Sequence, residues 1–259
     1  MDELPEIGGE TAGSGVGVST ATLAQTPVQN QVNGTTLACT ITAATAGNKL
    51  IVGAGIIDAV NTLNTPSDNI SGTTGWTLKY DPGAASGNRH YWWEKEAVGG
   101  ETTITVTPSA SDTYHMCVWE VIDLIDTDSF DVGARGNGAA AGGTITTALS
   151  GTLAQPNELV LALATVNNTF SADTFTDSII TPTTYPASGT KQTRGDAAHY
   201  LGRDETTSFT VSFTFSAAAS RSVCVTLTTW MAVDRPPAAR NRPTPLIRST
   251  PSRASVSGV

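Results

Sequence analysis

Residues 90–97 read HYWWEKEA: a histidine, two adjacent tryptophans and two carboxylates in alternation. Successive side chains of a strand point to opposite faces, so Trp92, Glu94 and Glu96 share one face and Trp93 and Lys95 the other. Paired carboxylates beside an aromatic ring are equipment for glycoside hydrolysis. Yet residues two apart on one strand are neighbours, not opposing walls of a cleft. The plainer expectation is a solvated carboxylate face. One of Trp92 and Trp93 then belongs to the core, and the other is exposed or at an interface, where its ring could stack on a host surface glycan.

A second cluster, DLIDTDSFD, places Asp123, Asp126, Asp128 and Asp131 within nine residues. Grouped carboxylates on a loop can hold Ca²⁺, but the spacing, glycine and terminal glutamate of an EF-hand loop are missing. Aspartate is also an ordinary turn residue, and turn chemistry is the reading taken. The histidines, His90, His115 and His199, are dispersed. No G-x-S-x-G elbow, P-loop, H-E-x-x-H or C-x-x-C occurs, and GSGVGV near the start is not a dinucleotide fingerprint. The expectation is a protein without catalytic residues, metal or cofactor.

The elements that would carry these residues are strands. Hydrophobic residues make up 39% and charged residues 14% of the 259, with 25 Gly, and Thr and Ser are abundant. That is the composition of a β protein. Short apolar runs such as NKLIVGAGII, TTITVTPS and HMCVWEVIDL alternate with Gly, Pro, Asn and Asp turns. In SFTVSFTFS, Phe209, Val211, Phe213 and Phe215 share one face, a strict period of two. KLIVGAGII and ELVLALATV are apolar on both faces and read as central strands covered on both sides. A Gly/Ala-rich stretch, VGARGNGAAAGGT, reads as a link between two similar lists of strands.

Those lists align. Asn48 matches Asn157 and His90 matches His199 at an offset of 109, Glu101 matches Glu205 at 104, and Cys117 matches Cys224 at 107. The expectation is an all-β, antiparallel sandwich of jelly-roll type with an internal pseudo-repeat. Its parts are an extended acidic N-terminal arm over 1–30, a β-sandwich body over 31–233 and a Pro/Arg-rich C-terminal arm over 234–259.

Cys39, Cys117 and Cys224 are odd in number, widely spaced and set in apolar runs, so they read as buried free thiols. No basic-then-apolar leader follows Met1, and no run of about 18 apolar residues exists, so neither a signal peptide nor a membrane span is expected. Synthesis in a cytoplasm follows. The net charge of −9 argues against nucleic acid as a partner. It is unevenly placed: residues 231–259 hold five Arg and one Asp, a local +4, which leaves −13 on residues 1–230. A basic arm opposite an acidic surface is an attachment device. Leu246 and Ile247 would be its apolar plug, and Arg240, Arg242, Arg248 and Arg253 would pair with carboxylates of a neighbouring subunit or another copy of the chain.

The order AGNKLIVGAG, GWTLKY, HYWWEKEAVGGETTITVT, CVWEVIDLIDTDSFDV, NELVLALATV, TSFTVSFTFS and VCVTLTTW resembles β-sandwich proteins encoded by tailed phages of actinobacteria. These are minor tail or other virion proteins, with relatives among bacterial surface proteins. The resemblance spans roughly residues 35–232 and rests on strands and turn signatures. It implies a jelly-roll-like sandwich in a phage particle, as a minor tail or capsid-decoration protein held to other virion proteins, with copies of itself as further partners.

Overall fold

The computed structural model describes residues 21–57, 60–148, 150–156, 158–167, 171–177, 194–203 and 206–233, and the compact unit ends at Val233. Among the described residues there is no helix, and every strand pairing is antiparallel.

The first half contributes β1 (Thr22–Leu23), β2 (Val28–Gly34), β3 (Leu37–Thr40), β4 (Lys49–Ile56), β5 (Ser67–Asp68), β6 (Thr77–Tyr80), β7 (Ala84–Ala85), β8 (Asn88–Glu96), β9 (Thr103–Val106) and β10 (Asp112–Ile122). One sheet runs β1-β10-β4-β8-β6, with β2 also on β10 and β7 on β8, and a smaller sheet runs β3-β9-β5. The even-numbered residues of β4, Leu50, Val52, Ala54 and Ile56, pack with Trp93, Tyr114, Met116 and Val118 against Leu37, Ile104 and Val106 of the small sheet. Sheet pairing thus begins at Thr22, inside the stretch read as an arm.

The second half contributes β11 (Phe130–Thr146), β12 (Glu158–Val166), β13 (Ser171–Asp177), β14 (Arg194–Arg203) and β15 (Val211–Trp230), in the order β11-β15-β12-β14 with β13 on β15. Here one sheet folds over on itself. The first part of β15 pairs with Gly142–Thr146 and with β13, the last part with Phe130–Ala140 and with β12. Phe209, Val211, Phe213 and Phe215 then face Val160, Ala162, Ala164, Val223, Val225 and Leu227 across one core. The Gly/Ala-rich stretch is therefore strand rather than link. Its small residues are needed because β11 doubles back: a Cβ on Gly136 would run into the Thr146 carbonyl oxygen and lie 2.8 Å from the Thr147 Cα. Backbone on both sides of the contact leaves nothing that can give way.

The other faces of the two main sheets, those carrying the odd-numbered residues of β4 and β12, meet. Ile51, Trp92, Trp119 and Val121 pack against Leu159, Leu161, Leu163 and Trp230, all fully buried. Each such side chain is worth about 1.5–3 kcal/mol when removed from water. That seam makes two sandwiches into one block of four layers, and it explains why β4 and β12 are buried at every position.

Candidate functional site

Polar side chains converge in three places, each centred on buried groups. The first lies in the seam between the sandwiches. His90 Nδ1 is 2.8 Å from Thr226 Oγ1, its Nε2 is 2.7 Å from Thr165 Oγ1, and His115 Nε2 approaches the same Thr165 oxygen at 2.6 Å. Trp92 Nε1 donates to Thr226 Oγ1 at 3.0 Å. Because an indole N–H only donates, one neutral assignment satisfies the whole chain: Trp92 to Thr226, Thr226 to His90, His90 to Thr165, Thr165 to His115. Burial, then the neighbouring His115 and Arg135, hold the His90 imidazole far below its ordinary range, and burial pushes His115 down to about 3. Both rings are uncharged at neutral pH and buried in the seam. Net hydrogen bonds of about 1 kcal/mol each are small beside the apolar seam, so the chain's role is to satisfy buried polar atoms in one alignment of the sheets.

Two glycines of β4 permit this approach. A Cβ on Gly53 would stand 2.9 Å from the Trp92 ring, and one on Gly55 would meet Thr165 Oγ1 and lie 2.6 Å from His115 Nε2.

The second cluster surrounds Glu94. Its carboxylate accepts from Ser129 Oγ at 2.8 Å and pairs with Lys79 at 3.2 Å and Lys49 at 3.7 Å. Lys49 also donates to the Asp126 carbonyl, and Lys79 pairs with Asp128 at 3.0 Å. Residues 123–131 are thus a strap fastened to the first sandwich as the chain crosses to the second. Asp123 and Asp128 adopt φ of 64° and 52°, the left-handed conformation that aspartate tolerates in turns. Asp131 accepts from the Ala154 N–H at 2.7 Å. The four aspartates therefore serve separate contacts, and among the described residues no group of three or more His, Cys, Asp or Glu is arranged to hold a metal ion.

The third cluster is inside the first sandwich. Lys95 Nζ lies 2.6 Å from Asp68 Oδ2 and 3.1 Å from Glu101 Oε1, with all three side chains at most 1% exposed. Asp68 Oδ1 accepts the N–H groups of Ile70 and Ser71 at 2.9 and 2.7 Å, and Oδ2 accepts Trp76 Nε1 at 3.1 Å. Burial pushes the Asp68 carboxyl up, but Lys95 and the Ser71 and Ile70 donors outweigh it and leave the group at about 2. Glu101 is likewise held below its ordinary range: burial opposes, while the Val98 N–H and Lys95 prevail.

Several expectations change. Of the two carboxylates on the face expected to be solvated, Glu96 is exposed but Glu94 is buried beneath the strap and spent on two lysines. Neither tryptophan is exposed: Trp92 is 0% and Trp93 2% accessible, one in the seam and one in the first core, so neither offers a ring face to a sugar. His90 is buried in the seam, and the register separates it from His199: His90 stands opposite Gly55, His199 opposite Leu161. Cys39, Cys117 and Cys224 are buried and form no disulfide. Leu246, Ile247, Arg240, Arg242, Arg248 and Arg253 lie outside the described residues. The Lys95 cluster went unread because Asp68 comes from a two-residue strand 27 residues away and Glu101 from the turn after β8. The available signal was Lys95 itself, on the same strand face as Trp93.

Compared with known proteins, the chain matches no family model, no curated protein and no solved structure.

Proposed function

We propose that the chain is a non-enzymatic structural protein of a tailed-phage virion, a minor tail or capsid-decoration component with a rigid body and an attaching arm. The observation that carries this reading is where the reactive side chains are spent. Histidines, tryptophans and carboxylates that could have formed a site instead seal the seam between sandwiches, fasten the strap and neutralise one another in the core. A body so committed to its own cohesion is suited to bearing load between neighbours. The strand plan supports the pseudo-repeat of jelly-roll type: β10-β4-β8 in one half parallels β15-β12-β14 in the other, and β3-β9-β5 parallels the folded-over part of β11, β15 and β13. Within it the third and fifth strands are displaced by three residues from the sequence alignment, since Val52 faces Trp93 where Leu161 faces His199.

Attachment falls to residues 234–259. Proline restricts that segment before docking, so less entropy is lost on binding. Leu246 and Ile247 supply an apolar plug, and Arg240, Arg242, Arg248 and Arg253 supply register against carboxylates of another virion protein or a second copy of this chain. The test is incorporation: particles grown with tagged wild-type protein or with the Leu246→Asp, Ile247→Asp double variant are purified and probed for the tag. Wild-type protein co-purifying and the variant staying in the lysate, both equally stable, supports the reading. Absence of the wild-type protein from particles overturns it.

A further inference from the structure

The Lys95 cluster has the parts of a self-catalysed condensation, and we infer that Lys95 Nζ and Asp68 Cγ join in an intramolecular isopeptide bond promoted by Glu101. This goes beyond the virion reading and does not depend on it. The amine and the carboxyl group are already in contact, Nζ to Oδ2 at 2.6 Å, in a site sealed from water by Trp76 and the two sheets. Groups so held react at effective concentrations far above any attainable in solution. The ion pair is the resting form, and the reaction draws on its minor neutral tautomer, reached by one proton passing along the existing Nζ–Oδ2 contact.

Each proton has a place to go. One moves from the ammonium of Lys95 to Asp68 Oδ2, giving an amine and a carboxylic acid. The nitrogen lone pair attacks Cγ, and negative charge gathers on Oδ1. That oxygen already receives two backbone N–H groups, from Ile70 at 2.9 Å and Ser71 at 2.7 Å, the arrangement that stabilises a tetrahedral oxyanion. Glu101 Oε1, 3.1 Å from the nitrogen, takes the second proton as the C–N bond forms and gives it up to the departing Oδ2 hydroxyl. Ser71 Oγ bridges that path, in contact with Nζ and 3.1 Å from Oδ2. The Cγ–Oδ2 bond breaks and one water leaves. The product amide keeps one N–H, which Glu101 accepts. No oxidant, cofactor or activating group is consumed. Glu101 is itself fixed for the task by the N–H groups of Val98 at 2.8 Å and Gly99 at 2.9 Å.

The bond would staple β8 of the large sheet to β5 of the small one, tying residues 27 apart across the first core. The experiment is mass spectrometry of the full-length wild-type chain under denaturing conditions, followed by proteolysis and fragmentation. The expected result is an intact mass lower than that of the sequence by one water, with a branched peptide joining Lys95 to Asp68. Lys95→Arg should carry its full sequence mass. Glu101→Gln should remain largely uncondensed while folded, as judged by circular dichroism. Folded wild-type protein at its full mass after prolonged incubation, or a branch at any other pair of residues, overturns the inference, whatever the variants do.

Discussion

Replacing Gly55 by Ala adds one methyl group where the two sandwiches touch. The new Cβ would collide with Thr165 Oγ1 and stand 2.6 Å from His115 Nε2 and 3.1 Å from His90 Cδ2. Overpacking of a well-filled interior costs about 1–3 kcal/mol. Thr165 can make room only by giving up its bonds to both histidines, and orphaning buried polar groups costs about 1–3 kcal/mol more. The sum, roughly 2–6 kcal/mol, is a large fraction of the 5–15 kcal/mol that holds an ordinary domain together. Urea unfolding followed by tryptophan fluorescence should show the midpoint of Gly55→Ala falling accordingly. Gly34→Ala is the control: its added Cβ meets only Val32 Cγ2, at an ordinary 3.5 Å, and should shift stability by no more than about 1 kcal/mol. A Gly55→Ala loss below about 1 kcal/mol would refute the close approach of the sheets at the histidine seam.

The two buried histidines should weaken the body in mild acid. The unfolded chain binds protons at His90 and His115 below the ordinary value of 6.5 while the folded chain refuses them, so stability falls with pH from that point. With His115 depressed to about 3, it alone should cost about 2 kcal/mol between about pH 7.5 and pH 5; Glu158, raised by burial to about 7, acts in the opposite sense over the same range. The effect is therefore read as the difference in pH dependence of the denaturation midpoint between wild type and His115→Gln, and identical pH dependences would contradict the neutral seam. Glu94→Ala, which leaves Lys49 and Lys79 without their shared carboxylate, should destabilise by about 3 kcal/mol in the same assay, whereas a change near zero would mean the strap is held otherwise. Burial raises the thiols of Cys39 and Cys224 to about 12, so a thiol reagent should label them only after denaturation, and rapid labelling of native protein would place them at the surface.

How far the fold was legible depended on what period-two patterns can say. Phe209, Val211, Phe213 and Phe215 announced a half-buried strand, and Ile104 and Val106 did the same for β9; both alternate as read. LIVGAGI and LVLALATV announced strands covered on both sides, and they are. The pattern is silent about what covers the second face. For that reason Glu94 looked solvated and one tryptophan looked exposed, when a second sandwich lies on Trp92 and a folded-in strap on Glu94. Glycine and alanine over 133–143 looked like a link because local propensity disfavours them in strands. They are strand because β11 must pass within backbone contact of itself, a tertiary demand invisible in the local sequence. The reactive cluster was hidden differently. Lys95, Asp68 and Glu101 belong to three elements, and only a lysine sharing a strand face with Trp93 hinted that a buried partner was required.

The proposed role is tested most directly by cryo-electron microscopy of tailed-phage particles purified from cells that express this chain. A structural component attached by its arm predicts density for the four-layer β block at regular, repeated positions on the capsid or tail, with a strand of density leading from the end of β15 onto a neighbouring subunit. Complete particles with no such density, and the protein confined to the soluble fraction of infected cells, would contradict it.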